Sequence, residues 1–394
     1  MSTLSLDFIL QRGVAEIISA ERLRQRMKGD RPLRLKMGFD PSKPDLHIGH
    51  AVGERKLRQL QDLGHQVVLI VGDWTAQIGD PSGRDESRTM LTAAQVQANA
   101  QTYMDQFFTI VDQARTEVRW QSEWFGKFTL ADVFNLTSRF TFADMMEHET
   151  FDKRVKENKP LSLMELMYPI LQAYDSIAID ADVEFGGMDQ KFNILAGRQL
   201  QERLGKPPQE VFLVPLLVGT DGRKMSKSFG NTIDQHAPAN DMYGKVMSLV
   251  DNVIVEYFRL VTDVSDAEIA EMDRALKAGG INPRDLKMRL GREIVTQFHG
   301  ADAARDAEAE FVKVFQQREM PTDLPTFTLA QPMPLLDVMI AAQLAPSRSE
   351  ARRLIQQGGV SLDDAKIEQV DAVLQPRAGI LRVGRRRFLK LIVA

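Results

Sequence analysis

Leu33-Arg34-Leu35-Lys36-Met37-Gly38, His47-Ile48-Gly49-His50 and Gln66-Val67-Val68-Leu69-Ile70-Val71 follow one another closely. The first alternates like a strand. From Gly49 to Leu63 the chain reads as a helix, with Leu57, Leu60 and Leu63 at helical spacing and Gly64 as its stop. The third is a continuous apolar run of the kind buried on both faces of a parallel sheet. Working outward, Glu117–Gln121, Ile177–Phe185 and Val211–Val218 read as further strands. Strand–helix alternation over the first 220 residues predicts an α/β fold, a doubly wound parallel sheet with its ligand at the carboxyl ends of the strands.

Phe125 to Leu166 reads as a helical, Met-rich insertion between the halves of that sheet, its apolar residues suited to a core or to a subunit interface. After Ser228 strand signals fade, and Asn240–Gln317 reads as helices broken at Gly279-Gly280 and Pro283. Pro321, Pro325, Pro332 and Pro334 mark a stiff linker. The last sixty or so residues combine a helix over Ser349–Gln357 with strands at Val360–Leu362 and Phe388–Val393.

Composition is ordinary for a globular protein of two or three domains: 394 residues, 43% hydrophobic and 26% charged. The absence of cysteine excludes disulfides, thiolate metal sites and cysteine nucleophiles, and six scattered histidines argue against a structural zinc site. No stretch has the length of a spanning helix and Met1–Leu10 does not read as a secretory signal, so a cytosolic protein is expected. Net charge is −4, unevenly placed: Pro334–Ala394 holds ten basic and six acidic residues on an otherwise acidic body. A basic tail suits a polyanionic partner, and equally a solvated surface.

Two motifs carry chemistry. His47 and His50 stand where a strand hands over to a helix, whose N-terminus adds unpaired N–H groups and the positive dipole end suited to phosphate. Gly49 permits close approach of a nucleotide, and Pro41 and Pro44 stiffen the entry. Lys224-Met225-Ser226-Lys227-Ser228 follows the turn signal Asp221-Gly222 and reads as a loop able to close over a triphosphate. Taken singly, each also suits a solvated loop. Together, two imidazoles and two ammonium groups can spread over the charge that grows on a departing pyrophosphate.

In this order and on this background, the pair resembles the signatures of class I aminoacyl-tRNA synthetases. Leu166–Asp175 resembles the tyrosine-binding helix of the bacterial tyrosyl-tRNA synthetases, Gly186-Gly187-Met188-Asp189-Gln190 their ribose and carboxylate loop, and Gly79–Arg84 a further family signature. The tail from Ser347 to Ile355 is similar to a small RNA-binding fold shared with a ribosomal protein. The resemblance covers nearly the whole chain.

It implies a Rossmann-like catalytic domain over 1–228 with an insertion at about 125–166, a helical anticodon-binding domain over 229–320, a linker over 321–333 and a small α+β RNA-binding domain over 334–394. It assigns catalysis to His47, His50, Lys224 and Lys227. ATP falls to Gly38, Asp40, Gly49, Gly187, Asp189, Met225, Ser226, Arg84 and Arg88. Tyrosine falls to Lys36, Asp80, Tyr168, Gln172, Asp175 and Gln190, with Asp175 accepting the phenol proton and Asp80, Tyr168 and Gln172 holding the ammonium. Tyr168, Gln172 and Asp175, at spacings of four and three, share a helix face. RNA phosphates fall to Arg348, Arg352 and Arg353, read as one helix face, and to Arg385, Arg386 and Arg387. Substrates would be tyrosine, ATP with magnesium and a tRNA, handled by a homodimer without a protein-held metal or an editing domain.

The chain departs from the family pattern at three places. Lys36 stands where many members have a tyrosine touching the substrate hydroxyl, Met37 where some have a polar ribose contact, and Met188 where a small hydroxyl residue is commoner. A tryptophanyl-tRNA synthetase, a non-catalytic synthetase-like RNA-binding protein and a small-molecule nucleotidyltransferase remain as other readings. Asp175 and the basic tail argue against the first, the intact His and Lys motifs against the second, and the helical region with the tail against the third.

Overall fold

The computed structural model describes residues 4–41, 45–82, 91–226, 229–315, 324–363, 365–384 and 387–393. They form two compact units, Met1–Gly300 and Ala301–Ala394. The helical stretch Pro283–Phe315 breaks between them at Gly300, whose φ of 86° and ψ of 166° are not helical.

The first unit is built on a six-stranded sheet: β1 (Glu16–Ile18), β2 (Arg34–Phe39), β3 (Gln66–Val71), β4 (Thr116–Trp120), β5 (Val183–Gly187) and β6 (Glu210–Val214). The order is β1-β6-β5-β2-β3-β4. Only β1 is antiparallel; it pairs with β6, while every other neighbour is parallel. Residues 67–71 of β3 and all of β6 are buried, as a sheet covered on both faces requires. The chain winds outward from β2 to β3 and β4, then returns to β5 on the other side of β2. The β2/β5 boundary is therefore the topological switch point, where a crevice opens beyond the strand ends.

The fold class is as the sequence predicts, and the deciding stretch folds as read, with a helix over Ile48–Asp62 between β2 and β3. Two strand limits differ. The run expected as a strand from Ile177 is the end of the Leu163–Ala178 helix, and β5 begins only at Val183. A short apolar run does not distinguish a buried helix end from a strand. The strand expected to reach Val218 ends at Val214. Short β1 carries too little pattern to be read from sequence.

The stretch expected as an insertion holds three short helices, Leu130–Thr137, Phe142–Met146 and Glu149–Lys156, and the start of the Leu163–Ala178 helix, and is preceded by the short helix Ser122–Phe125. Phe140, Met145 and Phe151 pack on Ile170, Ala173 and Leu200. Leu130, Phe134 and Phe142 stay more than 60% exposed. The segment thus presents one apolar face to the core and another to solvent.

In the second unit, β7 (Thr326–Thr328), β9 (Val360–Leu362), β10 (Ala365–Lys366), β12 (Gly379–Val383) and β13 (Arg387–Ile392) form a sheet in the order β10-β9-β12-β13-β7. A two-stranded sheet joins β8 (Met333–Pro334) and β11 (Val373–Leu374). The stretch expected as a linker therefore supplies β7, parallel to β13, and the start of β8. Pro325 offers its carbonyl to Lys390 N–H. Helices Leu335–Ala341 and Arg348–Gln356 close a core around Val338, Met339, Ile355, Leu381 and Leu391.

Candidate active site

A cleft of about 400 Å³ opens at the β2/β5 switch point. Its edge is set by the start of the Ile48–Asp62 helix. His47 is the helix N-cap, extended at φ −119° and ψ 163°. Its backbone N–H donates to His50 Nδ1 at 3.2 Å, and the two rings lie 4.1 Å apart between centroids. In the neutral tautomer that accepts this bond, His50 carries its proton on Nε2. Gly49 lies between them; a Cβ there would fall 2.9 Å from His47 Nδ1, so a larger residue would displace the His47 ring. Gly38 and Asp40 line the same cleft from the end of β2.

Deep in the cleft, the Leu163–Ala178 helix presents Tyr168, Gln172 and Asp175. Its start is fixed by the cap Ser162, which accepts from Glu165 N–H, while Glu165 is held by buried Arg154 at 2.7 Å. Asp175 is buried, with Oδ2 accepting from Gln121 Nε2 at 2.8 Å and Oδ1 from Trp124 Nε1 at 3.2 Å. Burial pushes its carboxyl up to about 7, and the Lys36 charge opposes that rise. Sequence reasoning passed over Gln121 and Trp124, which sit at a strand end and in a short helix and bear no motif.

At the other end, Tyr168 donates its hydroxyl to Asp40 Oδ2 at 2.8 Å, and Thr75 donates to Asp40 Oδ1 at 2.7 Å. Burial first, then Asp40, holds the Tyr168 phenol protonated well above its usual range. Its oxygen lone pairs therefore remain to accept. Asp80 receives Gln190 Nε2 at 2.7 Å and Ser82 N–H at 2.8 Å. Gly72 makes this network possible: a Cβ there would lie 2.3 Å from Asp40 Oδ1. Tyr168 and Asp80 thus bring acceptor oxygens to one end of the cleft, beside Gln172, and Asp175 brings a carboxylate to another.

The facing wall comes from the end of β5 and the segment after β6. Gly187, Asp189 and Gln190 line it, with Lys224 and Met225. Lys224 Nζ stands 3.6 Å from Asp189 Oδ2. Burial raises the Asp189 carboxyl, against the pull of Lys224. The Lys224 segment is pinned by Asn231, a residue the motif reading missed: its Oδ1 accepts from Ser226 N–H at 2.8 Å, and its Nδ2 donates to Asp221 at 2.8 Å and to the Lys224 carbonyl at 3.1 Å. The following residues return to the first motif, where Ile48 N–H meets the Ile233 carbonyl at 2.9 Å and Gln235 Nε2 meets buried Glu54 at 2.9 Å. The first motif, together with Lys224 and Met225 of the second, thus lines one cleft, with the backbone of the segment after the second motif bonded to the first.

Lys36 requires a correction. It does not line the cleft; its ammonium is fully buried and engaged by Gln172 O, Ser176 Oγ and Glu184. These bonds direct the ammonium to Glu184 and away from the cleft, in place of the substrate contact implied by resemblance. Lys227, Arg84, Arg88, Arg385 and Arg386 lie outside the described residues. In the tail, Arg348 pairs with Asp337, Arg353 pairs with Glu350 at 2.6 Å, Arg387 donates to the Leu344 carbonyl, and Arg352 is exposed. Five residues turn a helix about 500°, so Arg353 stands well round from Arg348 and the three do not form the single face expected.

A family model described as tRNA synthetases class I (W and Y) matches residues 27–316, and one described as Tyrosine--tRNA ligase SYY-like C-terminal domain matches residues 316–388. The chain is 53% identical to a tyrosine--tRNA ligase of Dehalococcoides mccartyi over 390 residues, 98% of each chain. It is 50% identical to that of Thermotoga maritima over 385 residues, 97% of this chain and 96% of the other. Among solved structures, a tyrosyl-tRNA synthetase of Archaeoglobus fulgidus complexed with L-tyrosine matches with a TM-score of 0.63 at 22% identity, over 76% of this chain and 98% of that one, a likeness of fold.

Proposed function

The chain belongs to the tyrosine–tRNA ligases of class I, ATP-dependent enzymes that join tyrosine to tRNA, and from that premise we propose how its cleft works. Tyrosine lies with its phenol at Asp175 and its ammonium among Tyr168, Gln172 and Asp80. The observation that carries this reading is the polarity of the cleft. A phenol donates one proton and an ammonium only donates, and each end meets acceptors already oriented by other bonds. Gln190 faces the carboxylate, and Asp189 the ribose of ATP.

The tyrosine carboxylate attacks the α-phosphorus and expels pyrophosphate; a hydroxyl of the terminal tRNA ribose then attacks the adenylate. Neither step requires a covalent enzyme intermediate. His47, His50, Lys224 and Lys227 stabilise the charge on the departing pyrophosphate, and Arg84 and Arg88 add to it. Gly38, Gly49, Gly187, Met225 and Ser226 supply close approach and backbone contacts to the nucleotide. Asp40 acts through Tyr168. Magnesium arrives with ATP, held by its phosphates.

We further propose that 229–320 contacts the anticodon region and that the tail binds tRNA backbone through its arginines, which position rather than read the sequence. The exposed Leu130, Phe134 and Phe142 support a homodimer joined through the insertion. Among the described residues no helix is long and apolar enough to cross a membrane, and a cytoplasmic enzyme is the reading that fits a partner such as tRNA. Amino-acid-dependent ATP–pyrophosphate exchange, run separately with all twenty amino acids, tests the reading. Exchange with tyrosine alone is expected; exchange with tryptophan would overturn the role of Asp175, and none at all would overturn the adenylation chemistry.

A further inference from the structure

Beneath the cleft floor lies an enclosed pair of opposite charges. Lys36 and Glu184 are both fully buried, with Lys36 Nζ 2.9 Å from Glu184 Oε1. Lys36 also donates to Ser176 Oγ at 2.8 Å and to the Gln172 carbonyl at 2.9 Å, so three acceptors match its three donors. Glu184 accepts as well from Gln172 Nε2 at 3.0 Å, Ser176 Oγ at 3.2 Å and Gln209 Nε2 at 2.5 Å. Neither charge lines the cleft, but Gln172 does.

An apolar pair of similar volume would serve stability as well or better, because two ions must be stripped of water to be buried. What the charges do add is polarity. The two ends of a glutamine amide have nearly the same shape and opposite hydrogen-bonding character. A carboxylate only accepts, so Glu184 captures Nε2 and leaves Oε1 as the other end of the amide. An ammonium only donates, and Oε1 is the end it needs.

We propose that Lys36 and Glu184 form a positioning pair for tyrosine, which locks the Gln172 amide with its oxygen toward the substrate ammonium; this rests on the cleft reading above. Lys36 pairs with Glu184 and anchors the Gln172 backbone. At Asp175 the two charges act in opposite directions, Lys36 favouring the carboxylate and Glu184 opposing it, so the pair's effect falls on the ammonium end.

Glu184→Gln tests it. A neutral amide of the same shape can donate to Gln172 Oε1 and release the flip. Binding of tyrosine is compared by calorimetry with that of 3-(4-hydroxyphenyl)propanoate, which lacks only the ammonium. Tyrosine affinity is expected to fall about 10- to 100-fold while that of the propanoate stays within about twofold. An equal loss for both ligands indicates a merely structural role and overturns the proposal, as does unchanged tyrosine binding. The double variant Lys36→Met/Glu184→Gln leaves no uncompensated charge and guards against misfolding of the single one. The same selective loss is expected, and retention of the advantage of tyrosine over the propanoate overturns the proposal. A wild-type enzyme without that advantage would instead defeat the cleft reading itself.

Discussion

Asp175 sits where its burial and its partners oppose each other. Desolvation raises its carboxyl to about 7 from an ordinary 3.8, while Lys36, Gln121 and Trp124 favour the ion. The carboxylate is the stronger acceptor for a phenol, so tyrosine affinity should rise as pH climbs through about 7. Phenylalanine binding should not follow it; calorimetric titrations at pH 6 and 8 with both amino acids check this. Asp175→Asn should cost tyrosine about 10- to 100-fold in kcat/KM in pyrophosphate exchange and leave phenylalanine nearly unchanged. Lys224 is more than half exposed and meets Asp189 at only 3.6 Å, so little in the free protein holds it. Lys224→Ala should slow adenylate formation by about a hundredfold in single-turnover assays, with tyrosine affinity within about twofold.

Among the elements, the Ile48–Asp62 helix depends on the segment after the second motif. Its residue Glu54 is buried against Gln235, and burial raises its carboxyl to about 8 from 4.5. An acid whose folded value is raised contributes fully below its unfolded value, and that contribution is lost as pH rises through the folded value. From about pH 4.5 to 8 the unfolded chain sheds this proton while the folded chain keeps it, and stability declines. Glu54→Gln keeps an acceptor for Gln235 and removes the titration. It should stabilise the protein at pH 8 by on the order of 2 kcal/mol, with little difference near pH 5, as read by Tm at both values. The helix itself was legible from its leucines and its glycine stop. Its second anchor was not, because Gln235 lies far along the chain and has no pattern.

For the molecule as a whole, the chain forms two compact units. The tail core is its own, around Val338, Leu381 and Leu391. Removing residues 324–394, which takes β7 along with the rest of its sheet, should leave tyrosine-dependent exchange within about twofold. Charging of tRNA should fall at least tenfold, because contacts to phosphate supply much of nucleic-acid affinity. Equal charging by the shortened chain would make the tail dispensable.

The sequence by itself determined the alternation of strands and helices, the family through its two signature motifs, and the helix face bearing Tyr168, Gln172 and Asp175. These rest on local periodicity and on residue chemistry that survives without knowledge of neighbours. Tertiary structure alone decided that Lys36 turns from the substrate to Glu184, that Gln121 and Trp124 hold Asp175, and that Asn231 and Gln235 tie the second motif to the first. It also decided that the proline-rich stretch supplies β7. Those at Lys36 and Asp175 depend on residues distant in sequence meeting in a water-poor interior, where an unmatched donor or charge costs more than almost any local preference.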